Sequence, residues 1–198
     1  MKKIFLPLLF SGMLTTQTQA SPYMASSAGF AQPANSEATV SGVVHTNVAE
    51  YKRGVPISVG LGIASGAYRL EGTLGYQSNP VYKRLGVVLS GSDLSLLSAM
   101  ANGYRDFRIG YSTISPYLMA GLGGARVNIL TGSTSRVNQN VFAWQIGAGA
   151  GVKVSDRVTL DLSGRYYKTG DVTDSSGSTP VTFTVSGIKY LVGARVNF

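Results

Sequence analysis

The residues of this chain that could do chemistry are few. His45 is the only histidine, and Glu50 follows it in a stretch rich in serine and threonine. A hydrolase of the serine type needs a nucleophile, a base and an orienting acid in mutual reach. Nothing in the spacing selects one serine to complete the set, so His45 reads as a loop histidine and no catalytic residue is assigned. Cysteine is absent, which excludes disulfides, thiolate nucleophiles and thiolate metal sites, and a single histidine excludes a multi-histidine metal centre. No metal and no other cofactor is implied, and much of the usual enzyme repertoire is gone.

The remaining charged residues follow a rule. Arg69, Glu71, Lys153, Asp161, Arg165, Lys189 and Arg195 each stand between apolar neighbours, one residue out of phase with a run of Val, Leu, Ile, Ala and aromatics. Asn102 and Asp106 share that register. Successive side chains of a strand point to opposite faces, so these segments present one apolar face and one of Gly, Ser, Thr and charge. Two chemistries suit such a charged face: a gated ion path, or a structural network in which opposite charges pair because the space is too narrow to leave them apart. The network is the simpler reading. Two basic pairs lie outside the pattern, Lys52-Arg53 and Lys83-Arg84. They suit acidic glycans of a host surface or the phosphates of lipopolysaccharide, by charge attraction.

The elements that position these residues are strands. Val55 to Ala64 alternates strictly, Ser65-Gly66 supplies a tight turn, and Tyr68 to Gln77 returns with Arg69 and Glu71 on its polar face. Phe142 to Val154 and Val158 to Tyr167 form a second hairpin about Ser155-Asp156-Arg157, and Phe183 to Phe198 closes the chain. Pro116 to Ile129 is a further strand with an expected register shift at Gly123-Gly124. Leu94 to Phe107 suits a helix almost as well, and is assigned to a strand with Asn102 and Asp106 on the polar side. A first strand near Tyr23 to Ala31 alternates poorly. The expectation is eight strands in meander order. Their connections alternate long (Gln32 to Gly54, Gln77 to Asp93 with a little extra strand at Leu85 to Leu89, Thr131 to Asn140, Thr169 to Pro180) and short (at Ser65, Gly110 and Asp156).

A soluble sandwich and a membrane barrel both accept amphipathic strands. A soluble core made of the apolar face would leave an outer face rich in glycine, which packs nothing there. In a narrow barrel those glycines make room for long charged side chains. Aromatics also gather near strand ends: Tyr68, Phe107 and Phe198 at one end, Tyr76, Phe142, Trp144 and Tyr166 at the other. The rise from Tyr68 to Tyr76, tilted as barrel strands are, is about 20 Å, near the ~25 Å apolar band of outer-membrane barrels. Tyr190 lies nearer mid-strand and fits neither belt.

Length and composition agree with that choice. The chain has 198 residues, 25 of them glycine, and 13% charge. Lys2 and Lys3, the apolar run Ile4 to Leu14, and small residues up to Ala20 make residues 1–20 a secretory signal, cleaved after Ala20. Removing Lys2 and Lys3 from 17 basic residues leaves 15 against 9 acidic ones, a net charge of +6 on residues 21–198. For an exported chain that excess points to anionic lipid or polyanionic sugar rather than nucleic acid.

Four segments carry a resemblance: Tyr68-Arg69-Leu70-Glu71-Gly72, Met100 to Phe107 (MANGYRDF), Pro116 to Arg126 (PYLMAGLGGAR) and Phe142 to Gly149 (FAWQIGAG). In this order the chain resembles the opacity-protein and surface-antigen family of outer-membrane β-barrels from about Val55 onward. The resemblance implies an all-β fold, an eight-stranded antiparallel up-and-down transmembrane β-barrel akin to the OmpA membrane domain. It also implies insertion in the outer membrane by the assembly machinery; contact with outer-membrane lipids and lipopolysaccharide and a monomeric state are further expectations. In such proteins a terminal aromatic preceded by alternating apolar residues is the assembly signal, and Tyr190, Val192, Ala194, Val196 and Phe198 match it, which gives Tyr190 a purpose. The function expected is non-enzymatic: exposed loops for surface interaction, adhesion or envelope integrity above a filled lumen. The alternatives are a channel for small solutes or hydrophobic molecules and, last, a lipid-modifying barrel enzyme.

Overall fold

The structure is a computed structural model that describes residues 20–34, 36–40, 43–51, 53–84, 87–131, 135–174 and 181–198. The expected signal segment, save Ala20, lies outside the described residues, as does Lys52. Among them the strands are β1 (Ser21–Pro33), β2 (Ser36–Val40), β3 (Val43–Tyr51), β4 (Val55–Ser65), β5 (Tyr68–Arg84) and β6 (Val87–Asp106). They continue as β7 (Ile114–Thr131), β8 (Ser135–Lys153), β9 (Val158–Thr169), β10 (Val172–Asp174), β11 (Val181–Phe183) and β12 (Ser186–Asn197).

Eight of these close into an antiparallel barrel in the order β1, β4, β5, β6, β7, β8, β9, β12 and back to β1. Closure rests on β1 against β12, in register from Tyr23 opposite Asn197 to Pro33 opposite Gly187. A closed wall leaves no row of unpaired backbone groups, which is the condition for strands in a medium without water. The start of β1, the end of β12 and the short turns share one end of the barrel, here called the turn end. At the first of these turns Gly66 has φ of 60°, the left-handed value that a two-residue hairpin assigns to glycine. The connections at the other, loop end carry β2, β3, β10 and β11.

The wall is inverted relative to a soluble protein. On β4, Val55, Ile57, Val59, Leu61 and Ile63 all point outward and are 50 to 68% exposed. Leu70 and Leu74 of β5, Leu118 and Leu122 of β7, and Leu160 and Leu162 of β9 share that fate. Each such side chain left in water forgoes about 1.5–3 kcal/mol, a loss no single domain could sustain over a whole perimeter. The outer face therefore needs an apolar solvent. Aromatics bound it: Tyr68, Phe107 and Phe198 at the turn end, and Phe30, Tyr76, Phe142 and Tyr166 toward the loop end, all exposed. Tyr190 falls in the second belt rather than outside it, its ring 5.0 Å from Phe30. Trp144 is half-buried against Tyr166 in the same belt, at 5.6 Å.

Several boundaries differ from expectation. The register of β7 runs unbroken through Gly123 and Gly124 on both sides, so no bulge lies there. The inward Gly123 instead lets the Ala99 carbonyl approach, where a Cβ would collide. The stretches read as loops at 77–93 and 131–140 are largely strand: β5 pairs with β6 out to Arg84 opposite Val87, and β7 with β8 out to Thr131 opposite Ser135. Most of 41–54 forms β3, paired with both β2 and β5. Polar composition hid these strands because each lies beyond the apolar band, where neither face needs to be hydrophobic. The bulges that do occur are in this region, next to Ser36, Glu50 and Val81. β1 alternates weakly because its outward Ser26 and Ala28 are small, yet it is continuous and slightly longer than Tyr23 to Ala31.

Candidate functional site

The inward side chains fill the lumen in three layers. At the turn end Arg69, in a strand whose partner Gly62 leaves space for the Tyr23 ring, donates from Nε and Nη2 to the two carboxylate oxygens of Asp106, both at 2.8 Å. This bidentate pair is almost wholly buried on the Arg69 side, 4% exposed. The guanidinium is also sandwiched near the rings of Tyr104 (4.2 Å) and Tyr117 (4.9 Å). The Tyr104 hydroxyl donates to Glu71 Oε1 at 2.7 Å. Arg195 Nη2 lies 3.6 Å from Asp161 Oδ1, and a Cβ at Gly151 would crowd both groups at 3.1 and 3.2 Å. Gly149 stands in the same relation to Tyr117, whose ring would be 2.6 Å from an added Cβ. Glycines of the wall thus accommodate the large inward side chains.

The middle layer has hydrogen-bonded amides and two cations. Gln145 donates to Asn102 Oδ1 at 2.6 Å, and Asn102 to Thr73 Oγ1 at 2.9 Å. Arg165 and Lys189 are direct cross-strand partners on β9 and β12. Arg165 Nε reaches Ser163 Oγ at 3.4 Å, and Lys189 Nζ stands 4.3 Å from the centre of the Tyr167 ring. Above them Gln77 donates to Asn79 Oδ1 at 2.5 Å and to the Tyr167 hydroxyl at 3.1 Å.

The third layer, at the loop end, is apolar. Leu94, Leu96 and Met100 of β6, Ala125 and Val127 of β7, Ala143 of β8, and Tyr167 of β9 pack with Val172, Phe183 and Val185, which come from the connection between β9 and β12. That connection is tied down as well as packed. Gln139 of β8 donates to the Thr173 carbonyl and accepts from the Thr173 amide, each at 2.9 Å. The Val185 amide donates to Thr169 Oγ1 at 2.9 Å. Among the described residues, lumen cavities of about 30 Å³ lie below this cap, each with room for a water molecule or two.

Of the charged residues on the expected polar face, Arg69, Glu71, Asp161, Arg165, Lys189 and Arg195 point inward with Asn102 and Asp106. Lys153 does not. It ends β8 at the turn-end rim, where its 56% exposed side chain pairs with the fully exposed Asp156 at 2.9 Å. The parity was right, but the strand ends there and the side chain extends into solvent. Its hydrogen bond and charge hold the Asp156 carboxyl below the usual carboxylate range. The C-terminal set Tyr190, Val192, Ala194, Val196 and Phe198 shares the outward face of β12 and its terminus. His45, in β3, is paired through its backbone with Ala38 of β2, beyond the barrel wall. Among the described residues there is no group of three or more His, Cys, Asp or Glu able to hold a metal.

The inward tyrosines and the apolar cap were missed from sequence. Tyr104 and Tyr117 could have been found, since Tyr104 sits two residues from both Asn102 and Asp106. The cap could have been suspected where Leu94, Leu96 and Leu97 make both faces of one strand apolar, the same feature that made a helix plausible.

At the loop end the outward face turns polar in a ring of Gln32, Ser78, Ser95, Arg126, Asn140, Lys168 and Ser186. Arg126 Nε donates to Asn140 Oδ1 at 3.1 Å. Arg53 is exposed, 5.8 Å from the Phe30 ring centre. The backbone of β3 pairs with β5 at Glu50 opposite Lys83 and Ala49 opposite Arg84, which brings the first two loop-end hairpins together. The side chains of Lys83 and Arg84 lie outside the described residues.

Comparison with known proteins gives the same architecture. The sequence family described as outer membrane protein β-barrel domain matches residues 4–198. Outer membrane protein PagN of Salmonella typhimurium is 31% identical over 93 residues, a match that spans 42% of this chain and 38% of PagN. Among solved structures, Neisserial surface protein A superposes with a TM-score of 0.63 at 23% identity, over 90% of this chain and 99% of that one. OprG of Pseudomonas aeruginosa does so with a TM-score of 0.62 at 14% identity, over 90% and 96%.

Proposed function

The chain belongs to the outer membrane protein β-barrel family, and from that premise we propose that it is a non-enzymatic surface protein with a closed lumen whose loop end faces the cell exterior and meets polyanions there. The observation that carries this reading is the apolar cap: Val172, Phe183 and Val185 pack inside the loop end against the inward apolar residues of β6 to β9, which supports a plugged mouth and an outward chemistry carried by the rim and hairpins instead of a pore. The rim is basic. Arg53, Arg126 and Lys168 stand at the outward edge of the apolar band, and Lys83 and Arg84 belong to the hairpin that rises above it. Cations there suit phosphates of lipopolysaccharide or acidic groups of a host glycan, through charge attraction that salt weakens over a Debye length of about 8 Å at physiological strength.

The test is retention of refolded protein on immobilised heparin and on lipopolysaccharide as salt is raised. Retention on both that salt abolishes, and that is reduced in Arg53→Gln with Lys168→Gln, fits a polyanion-binding rim. Retention on lipopolysaccharide alone fits envelope anchoring without adhesion. Absence of salt-sensitive retention on either would refute the polyanion reading.

A further inference from the structure

The charges of the lumen are unevenly divided. The turn-end layer contains Arg69 and Arg195 with three carboxylates, Glu71, Asp106 and Asp161, each held by an ion pair or a tyrosine hydroxyl. The middle layer contains Arg165 and Lys189 and no carboxylate of its own, although Arg165 also borders the turn-end cavity that Glu71 and Asp161 line. These two occupy directly opposed positions of neighbouring antiparallel strands, with both side chains turned inward. Like charges placed so repel, and the closed wall withholds the bulk water that would screen them. Neither makes an ion pair among the described residues. Arg165 finds a serine hydroxyl at 3.4 Å, and Lys189 a tyrosine ring at 4.3 Å. On the loop-end side of this pair lie Gln77 and Asn79 and the apolar layer that includes Tyr167.

The two cations border the same cavity, of about 30 Å³, with Ser58, Thr73, Ser98 and Gln145 around it. Ser98 and Thr73 already donate to the carbonyls of Gly75 and Met100, and Gln145 to Asn102, so the two cations supply both the charge and the N–H donors that an anion would meet there. Its size admits a monatomic ion and excludes an organic acid. We propose that the mid-lumen of this barrel is a binding site for one small monovalent anion of the halide class, held between Lys189 Nζ and the Arg165 guanidinium. The anion neutralises an excess that the protein's own carboxylates leave uncompensated, and it makes the folded barrel dependent on halide.

The experiment uses the refolded chain in detergent. Thermal unfolding is followed by gel mobility in sodium chloride, sodium bromide and sodium gluconate at equal ionic strength, because gluconate is too large for the cavity. Chloride and bromide are expected to raise the melting temperature saturably above the gluconate value. Lys189→Met and Arg165→Met should each abolish the halide-dependent part, while Arg126→Gln on the outer rim should retain it. Equal melting in all three salts, or a halide effect that survives Lys189→Met, would overturn the proposal. If the lumen variants do not fold, crystals of the wild-type chain grown in bromide decide. An anomalous peak between Lys189 and Arg165 supports the site, and a lumen without one refutes it.

Discussion

Replacing Asp106 by alanine isolates what the turn-end layer contributes. Asp106 supplies both oxygens of the bidentate pair with Arg69, at 2.8 Å each, and the Arg69 side chain is only 4% exposed. Removing the carboxylate leaves a guanidinium that keeps its contacts with the Tyr104 and Tyr117 rings but loses two charge-assisted hydrogen bonds. Breaking a buried pair from one side costs about 3–5 kcal/mol, more than the pair itself contributes, because an uncompensated charge remains. With an m-value of about 2 kcal/mol/M in urea, the unfolding midpoint should fall by roughly 1.5–2.5 M. The assay is urea unfolding of protein refolded into lipid vesicles, read by gel mobility and circular dichroism. Two controls bracket it. Lys153→Ala breaks an exposed pair at the rim and should leave the midpoint unchanged. Arg69→Met with Asp106→Ala should recover most of the loss, since no charge is then stranded. If Asp106→Ala behaves like Lys153→Ala, the lumen is wet enough to solvate Arg69 and the argument for a filled interior fails.

Three further outcomes follow from other parts of the molecule. Leu61 is 68% exposed near the middle of the outer face, and Leu61→Lys should cost about 2–4 kcal/mol in lipid by urea unfolding; a neutral effect would mean that this face meets water. Phe183→Ala removes a buried ring from the cap and should lower stability by about 3–5 kcal/mol, a loss that equilibrium unfolding would show to be missing if Phe183 were merely laid over the mouth. Deleting Phe198, which is 74% exposed at the end of β12 and so contributes little packing, should reduce the amount of barrel reaching the outer membrane while leaving refolding in vitro intact. Normal surface yield would remove the assembly-signal reading.

The barrel was legible in sequence wherever the membrane imposes its period. Val55 to Gln77 and Phe142 to Tyr167 alternate because one face meets lipid and the other a packed lumen, and their registers follow directly. Above the apolar band the constraint lapses. Asn138, Gln139 and Asn140 look like loop residues, yet they are strand, held by backbone pairing to β7 and, for Gln139, by side-chain bonds to β10. The charged face was found by parity alone, which is why Lys153 was included and the inward Tyr104 and Tyr117 were not. Parity assigns a side, whereas burial also depends on how far along the barrel a residue stands. Nor could parity say which cation meets which carboxylate. Arg69 pairs with Asp106 across 37 positions of sequence, a match set by barrel closure and the stagger of its strands. The two-faced apolar stretch at Leu94, Leu96 and Leu97 hints at the cap, but which residues meet it, Val172, Phe183 and Val185, is set by a tertiary event with no local pattern.

The closed lumen is the claim from which the surface role, the buried pairs and the mid-lumen site all follow, and conductance tests it most directly. Refolded wild-type protein inserted into planar bilayers in 1 M salt, on the order used for narrow pores, should give no reproducible discrete steps, because the apolar cap and the side chains packed below it leave, among the described residues, lumen cavities of about 30 Å³. Regular single-channel openings from the wild-type chain, with a stable amplitude across preparations, would contradict the account.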